Sequence, residues 1–149
     1  MQEQESIGAE IEKLLSGSGL SLVEFSLNRR GNSVRARAVV YSPSGTGTDE
    51  CSRAHRLIYP RLQVLCAAED PYLEVSSPGI DRTLRSPREY GVFVGKGVRI
   101  LLVNESEWIC GRILASTDRD LTLATEAGTE VFDLSAVAKA RLDSTQEGD

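Results

Sequence analysis

Residues 72–90 read YLEVSSPGIDRTLRSPREY, and the organisation of the chain follows from them. Tyr72, Leu73 and Val75 have high strand propensity, and Ser76-Ser77-Pro78-Gly79 stops the strand abruptly. Pro78 has a fixed φ and no N–H, so a ladder cannot run through it, and Gly79 suits the centre of a tight turn. Arg82, Arg85 and Arg88 follow, each three residues after the last. Ser86-Pro87-Arg88-Glu89 then reads as a helix start, with Ser86 as N-cap, Pro87 at the first helical position and Glu89 closing a capping box. A strand ends, a rigid turn displays arginines, and a new element begins.

Upstream, Ile7, Ile11, Leu14 and Leu15 mark one apolar face of a helix over Ile7–Ser16, which Gly17 stops. Val23, Phe25 and Leu27 alternate with polar residues in a strand over Leu22–Asn28. After a turn at residues 29–32, Val34, Ala36, Ala38 and Val40 form one face of a second strand, with Arg35 and Arg37 on the other. These two strands predict an antiparallel hairpin. Thr48 reads as the N-cap of a second helix, whose apolar face carries Cys51, Ala54, Ile58, Leu62 and Leu65 and whose other side shows Arg53 and Arg56. Pro60 should kink or break that helix near Arg56, whose carbonyl loses its partner. The order helix, strand, strand, helix, strand predicts two helices on one face of a mixed three-stranded sheet.

Downstream of residues 94–97 the pattern changes to short strands, expected at Val98–Val103, Trp108–Ser116, Leu121–Thr125 and Thr129–Leu134. A 3₁₀ turn at residues 135–137 and a closing strand at Lys139–Leu142 complete the pattern of an SH3-like or Sm-like small barrel. The expected class is therefore α+β: an N-terminal α/β domain over residues 1–90 and a C-terminal barrel over 91–149, with a disordered tail from about residue 144.

The 149 residues, 40% hydrophobic and 26% charged, have the composition of a soluble globular chain. No apolar run approaches the roughly 18 residues of a membrane span, and the acidic, polar start MQEQESIGAE does not read as a secretory signal. A bacterial-type cytoplasmic location is the expectation. The net charge of −5 is unevenly spread: residues 1–28 carry −4, residues 29–99 carry +5 and residues 100–149 carry −6. A basic middle suggests a polyanionic partner and an acidic end a basic protein, although an unevenly sampled solvated surface gives the same numbers.

Little in the chain suggests catalysis. His55 is the single histidine. Cys51 and His55 stand at i and i+4, but a zinc site needs two more ligands, and Cys66 and Cys110 lie on other elements without ligand spacing. The odd count of three cysteines reads as reduced thiols. No nucleophile elbow surrounds Ser76-Ser77, and neither GxxxxGK[ST] nor GxGxxG occurs. No enzyme activity, metal, cofactor or small-molecule substrate is expected. What remains is arginine, fourteen against three lysines, able to bind phosphate bidentately. The candidate set for RNA is Arg35, Arg37, Arg53, Arg56, Arg82, Arg85 and Arg88, with ion pairing to Glu24, Asp49 or Glu69 as the alternative role for the strand and helix members. Aromatic residues are sparse, which argues against a base-stacking platform.

The opening stretch also resembles the signature of the bacterial ribosome maturation factor family RimP, in which a strand LEVSSPG runs into Asp-Arg and then Leu. Here those are Leu73, Glu74, Val75, Ser76, Ser77, Pro78 and Gly79, then Asp81 and Arg82, then Leu84. The resemblance extends, more weakly, from about Ile7 to Leu142. It implies a non-catalytic factor that binds immature small (30S) ribosomal subunits in the cytoplasm and assists their assembly. It also implies contact with ribosomal RNA and with ribosomal protein uS12, and a monomer is expected. Pro60 and the Gly/Ser-rich loop before the second helix depart from the family pattern. Taken with that resemblance, the acidic C-terminal barrel is expected to bind uS12 through the turn acids Glu105, Glu107, Asp118 and Asp120, the alternative being that these acids only keep a small barrel soluble. A general RNA-binding module without ribosomal specificity is the alternative reading.

Overall fold

Ile7, Ile11 and Leu15 lie on one face of α1 (Gln2–Ser16) and are all buried. The helix starts five residues earlier than apolar periodicity indicates. Polar ties to the next element hold its first turn: Glu3 pairs with Arg29 at 3.1 Å, and the Gln4 side-chain oxygen accepts from the Leu27 N–H at 3.0 Å. The computed structural model describes residues 2–147.

The chain forms two units, Met1–Pro78 and Gly79–Asp149. In the first, α1 is followed by β1 (Ser21–Arg30), β2 (Ser33–Tyr41), α2 (Thr48–Cys66) and β3 (Tyr72–Ser76). The sheet order is β1-β2-β3; β2 runs antiparallel to β1 and parallel to β3, so the sheet is mixed. Val34, Ala36, Ala38 and Val40 turn inward from β2 as their period of two requires, and meet Ile58 and Leu62 of α2, Ile11 of α1 and Leu73 of β3 in one core. β1 departs from simple alternation. A register shift between Leu22 and Glu24 lets both Leu22 and Val23 be buried, the mark of a β-bulge.

α2 corrects two expectations. Its N-cap is Gly47, one residue before Thr48; the Gly47 N–H donates to the Glu50 carboxylate at 2.7 Å, closing the first turn. The helix also runs unbroken through Pro60. A proline inside a helix costs about 3 kcal/mol. Burying Ile58 and Leu62 on either side of it contributes roughly 1.5–3 kcal/mol each, which outweighs the lost bond.

The second unit contains α3 (Pro87–Val92), β4 (Gly97–Leu102), β5 (Ile109–Ser116), β6 (Asp120–Thr125), β7 (Gly128–Asp133) and β8 (Val137–Leu142), with a 3₁₀ turn at Leu134–Ala136. The five strands make one antiparallel sheet in the order β7-β6-β5-β4-β8, and among the described residues no ladder joins β7 to β8. The whole is α+β: helices and a three-stranded sheet, then a five-stranded antiparallel sheet. Val98, Ile100, Ile113, Leu121 and Leu123 point to one side and are buried with Phe93.

Residues 144–147 depart from the expected disorder. Ser144–Gln146 forms a 3₁₀ turn, capped by the Asp143 side chain accepting from the Thr145 N–H. It lies against Gly97, where a side chain would collide with the Asp143 carbonyl. The Gly97 N–H donates to the Glu147 carboxylate at 3.2 Å, and Lys96 pairs with the same group at 3.6 Å. Residues 148–149, the rest of the expected tail, lie outside the described residues.

Candidate functional site

The signature stretch is divided between the two units. Tyr72–Ser76 is β3, the edge strand of the first sheet, with Leu73 turned into the core and Tyr72 and Glu74 turned out. From Gly79 on the chain belongs to the second unit. The Arg82 N–H donates to the Gly79 carbonyl at 3.2 Å, closing a turn after Pro78. Thr83 then bridges antiparallel to Arg141 on β8. The Leu84 N–H donates to the Ala140 carbonyl and the Leu142 N–H to the Arg82 carbonyl, each at 2.9 Å. Residues 82–84 thus continue the sheet beyond β8, covering an edge that would otherwise present unpaired backbone groups, and Leu84 is buried beneath.

The charged members of the signature are each paired inside their own unit. Glu74 meets Arg37 at 3.0 Å across the β2–β3 pair. Asp81 pairs with Arg141, sixty residues on, at 3.0 Å rather than with its neighbour Arg82. Arg82 instead binds Glu89 at 2.8 Å, with the two side chains only 12% and 4% exposed. The same carboxylate also accepts from the Arg85 N–H at 3.2 Å and the Ser86 hydroxyl at 3.3 Å, so Glu89 ties the turn to the first turn of α3. A buried charge is tolerated when it is paired and fully hydrogen-bonded, as here. Burial pushes the neighbouring Tyr90 hydroxyl up to about 12, with the Glu89 charge adding to it. Tyr90 is therefore a neutral packing residue at any physiological pH.

The other candidate arginines occupy different settings. The Arg35 guanidinium lies 5.0 Å from the centre of the Tyr72 ring, on the outer face of the first sheet. Arg53 donates to the Ser18 carbonyl at 3.3 Å, and Arg56 is exposed on α2. Arg85 and Arg88 are exposed in the turn and first turn of α3, and both have interaction partners. So Arg35 and Arg37 share a surface, while Arg82 is committed to building the second unit. None of the three carboxylates named as alternative partners is what Arg37 binds. Its partner Glu74 is its register neighbour, which strand pairing identifies and sequence distance conceals.

Glu105 and Glu107 occupy the β4–β5 connection, Asp118 the β5–β6 connection and Asp120 the first position of β6, all exposed. β5 has eight residues, so these two pairs stand at opposite ends of a strand about 26 Å long. They form two separate acidic edges rather than one patch. Among the described residues no three His, Cys, Asp or Glu side chains gather as a metal site. Burial raises the Cys51 and Cys66 thiols above their ordinary range, and the His55 ring stacks on Tyr59 with centroids 5.6 Å apart. No helix is long and apolar enough to cross a membrane among the described residues.

This architecture can be set beside known proteins. The family "RimP N-terminal domain" matches residues 10–81, which covers the first unit from within α1 to the turn after β3. A protein of Borrelia garinii subsp. bavariensis, named "Ribosome maturation factor RimP", is 33% identical over 134 residues, spanning 89% of this chain and 90% of that protein. The chain belongs to the RimP family. A RimP relationship over that length takes in both units, so the sheet of the second unit is as much part of the family likeness as the signature strand.

Proposed function

We propose that this protein is a ribosome maturation factor that binds the immature small ribosomal subunit in the bacterial cytoplasm and assists its assembly without catalysing a reaction. The observation that carries this reading is the family membership, which extends across both units. In this reading the first unit meets ribosomal RNA through exposed arginines of its sheet and second helix, Arg35, Arg37 and Arg56. Arg85 and Arg88 add charge from the second unit. The second sheet, read as an SH3-like barrel, meets the basic ribosomal protein uS12 through its acidic edges. Residues 91–149 carry a net charge of −4, which repels phosphate and attracts a basic protein. Because the acids stand at both ends of β5, charge reversal at Asp118 and Asp120 should slow association with uS12 and leave the Glu105–Glu107 edge intact.

A strain lacking the gene tests the reading. It should accumulate unprocessed small-subunit RNA and show fewer mature small subunits on a sucrose gradient. An unchanged subunit profile, under heat stress as well as in rapid growth, would contradict it.

A further inference from the structure

With α1 and α2 covering one face of the first sheet, the other face carries the alternate residues of all three strands. Strand register sets Asn28, Arg35 and Tyr72 in one row, and Ser26, Arg37 and Glu74 in the next. Arg30 stands further along β1, opposite Ser33. Tyr72 is 53% exposed, large for a tyrosine set in a sheet, and the Arg35 guanidinium lies over its ring. Two adjoining depressions flank this row. One, of ≈ 460 Å³, is bordered by Tyr72, Arg35, Arg37 and Asn28; the other, of ≈ 360 Å³, by Arg30, Arg35, Asn28 and Ser33.

The chemistry of this surface fits one kind of ligand. A flat aromatic ring and a guanidinium plane accept a base by stacking. Asn28 has both a donor and an acceptor for a base edge. Arg30, Arg35 and Arg37 share this face with two carboxylates: Glu74, which is engaged with Arg37 and holds it in place, and Glu24, one row further on opposite Val39. The excess charge is positive and suits phosphate. A protein partner would need apolar anchors, and beyond the Tyr72 ring these rows are polar or charged. A double helix would keep its bases away from a ring fixed on a sheet.

We propose that this face is a platform for single-stranded RNA. An unpaired base stacks on Tyr72 with Arg35, Asn28 contacts its edge, and Arg30 and Arg37 hold the flanking phosphates. The inference rests on the RNA-binding part of the reading above and names the form of RNA. The scarcity of aromatic residues argues against such a platform only as a count; the fold places one of the few beside Arg35, at the edge-strand end of the row.

The test is a fluorescence-anisotropy titration of the full-length protein with a labelled single strand of about 10 nucleotides, with the corresponding duplex as competitor. The wild-type protein should bind the single strand, and the duplex should compete at least about tenfold more weakly. Tyr72→Ala should weaken binding about tenfold or more, whereas Tyr72→Phe should retain it. Arg30→Gln should reduce the log–log salt slope by about 0.7, one phosphate's share on a single strand. Failure of the wild-type protein to bind the single strand would overturn the proposal. So would unchanged affinity in Tyr72→Ala, or equal competition by the duplex. Co-sedimentation of the same proteins with immature small subunits separates the two claims. Wild-type co-sedimentation alongside unaltered RNA binding by Tyr72→Ala would remove the platform and leave the ribosomal reading standing. No co-sedimentation alongside RNA binding that depends on Tyr72 would do the reverse.

Discussion

Arg35 and Arg82 are both arginines on the basic middle of the chain, and the structure uses them in opposite ways. Arg35 lies on an open sheet face over an exposed ring. Arg82 is folded onto Glu89 with most of its side chain out of water. The open setting keeps a guanidinium available to a ligand at little cost to the fold. The closed one spends the charge on joining a turn, an added strand segment and a short helix. Regular spacing of arginines in a sequence therefore does not predict a shared surface, because the partner that decides exposure can lie on another element.

The largest expected effect concerns where the second unit begins. A fragment of residues 79–149 should unfold cooperatively. One of residues 91–149 should lose cooperative unfolding, since it lacks two backbone hydrogen bonds to β8, the Leu84 anchor and the Arg82–Glu89 pair. The bonds contribute about 1 kcal/mol each and the leucine roughly 1.5–3 kcal/mol, a large share of a small unit's stability. Equal thermal transitions for the two fragments would erase the distinction between a structural Arg82 and a surface Arg35.

Next in size is Arg82→Ala, which leaves the Glu89 charge buried and unpaired. Removing one partner of such a pair typically costs about 3–5 kcal/mol, to be read from urea denaturation of the full chain. Arg35→Ala should fall within about 0.5 kcal/mol of wild type in the same experiment. Similar losses in both variants would break the contrast.

Much of the fold was legible in the sequence, and the exceptions share a cause. The alternation of Val34, Ala36, Ala38 and Val40 and the strand breaks expected at residues 104–107, 117–120 and 126–128 are local signals, and the elements they mark appear within a residue or two. Pro60 is local as well, but tertiary burial of Ile58 and Leu62 overrides it. The bridge from Thr83 to Arg141, the Asp81–Arg141 pair and the docking of the C-terminal turn on Gly97 join residues far apart in the chain, so no window of sequence shows them. The candidate site was half legible for the same reason. Arg35 and Arg37 could be placed on an outer face from strand periodicity. Tyr72 could be placed beside Arg35 only once β3 was known to pair parallel with β2 in that register.

A smaller effect should appear in alkali. The Tyr90 hydroxyl is raised by burial from the ordinary tyrosine value near 10 to about 12. The folded protein then keeps a proton that the unfolded chain has lost. Stability is thus fully present below pH 10 and declines as pH rises from about 10 to 12. Tyr90→Phe should flatten that decline in pH-dependent melting, and an unchanged slope would mean that the hydroxyl is solvated in the folded state. Smallest of all should be the Arg37–Glu74 pair, which is largely exposed. A double-mutant cycle with alanine should give a coupling of about 0–1 kcal/mol that fades with salt, far below the coupling of Arg82 with Glu89.

The measurement that bears most directly on the central claim is the salt dependence of binding to immature small subunits. Three proteins should be compared: wild type, Arg37→Gln, at a residue that like Arg35 stands on the open sheet face, and the double variant Arg82→Met/Glu89→Leu. The double variant replaces a buried pair with apolar side chains, an exchange that buried pairs often tolerate. Arg37→Gln is expected to bind more weakly, with a log–log slope shallower by up to about one, and the double variant to keep the wild-type slope. A flattened slope in the double variant with an unchanged slope in Arg37→Gln would place the RNA contact at the turn and contradict the account.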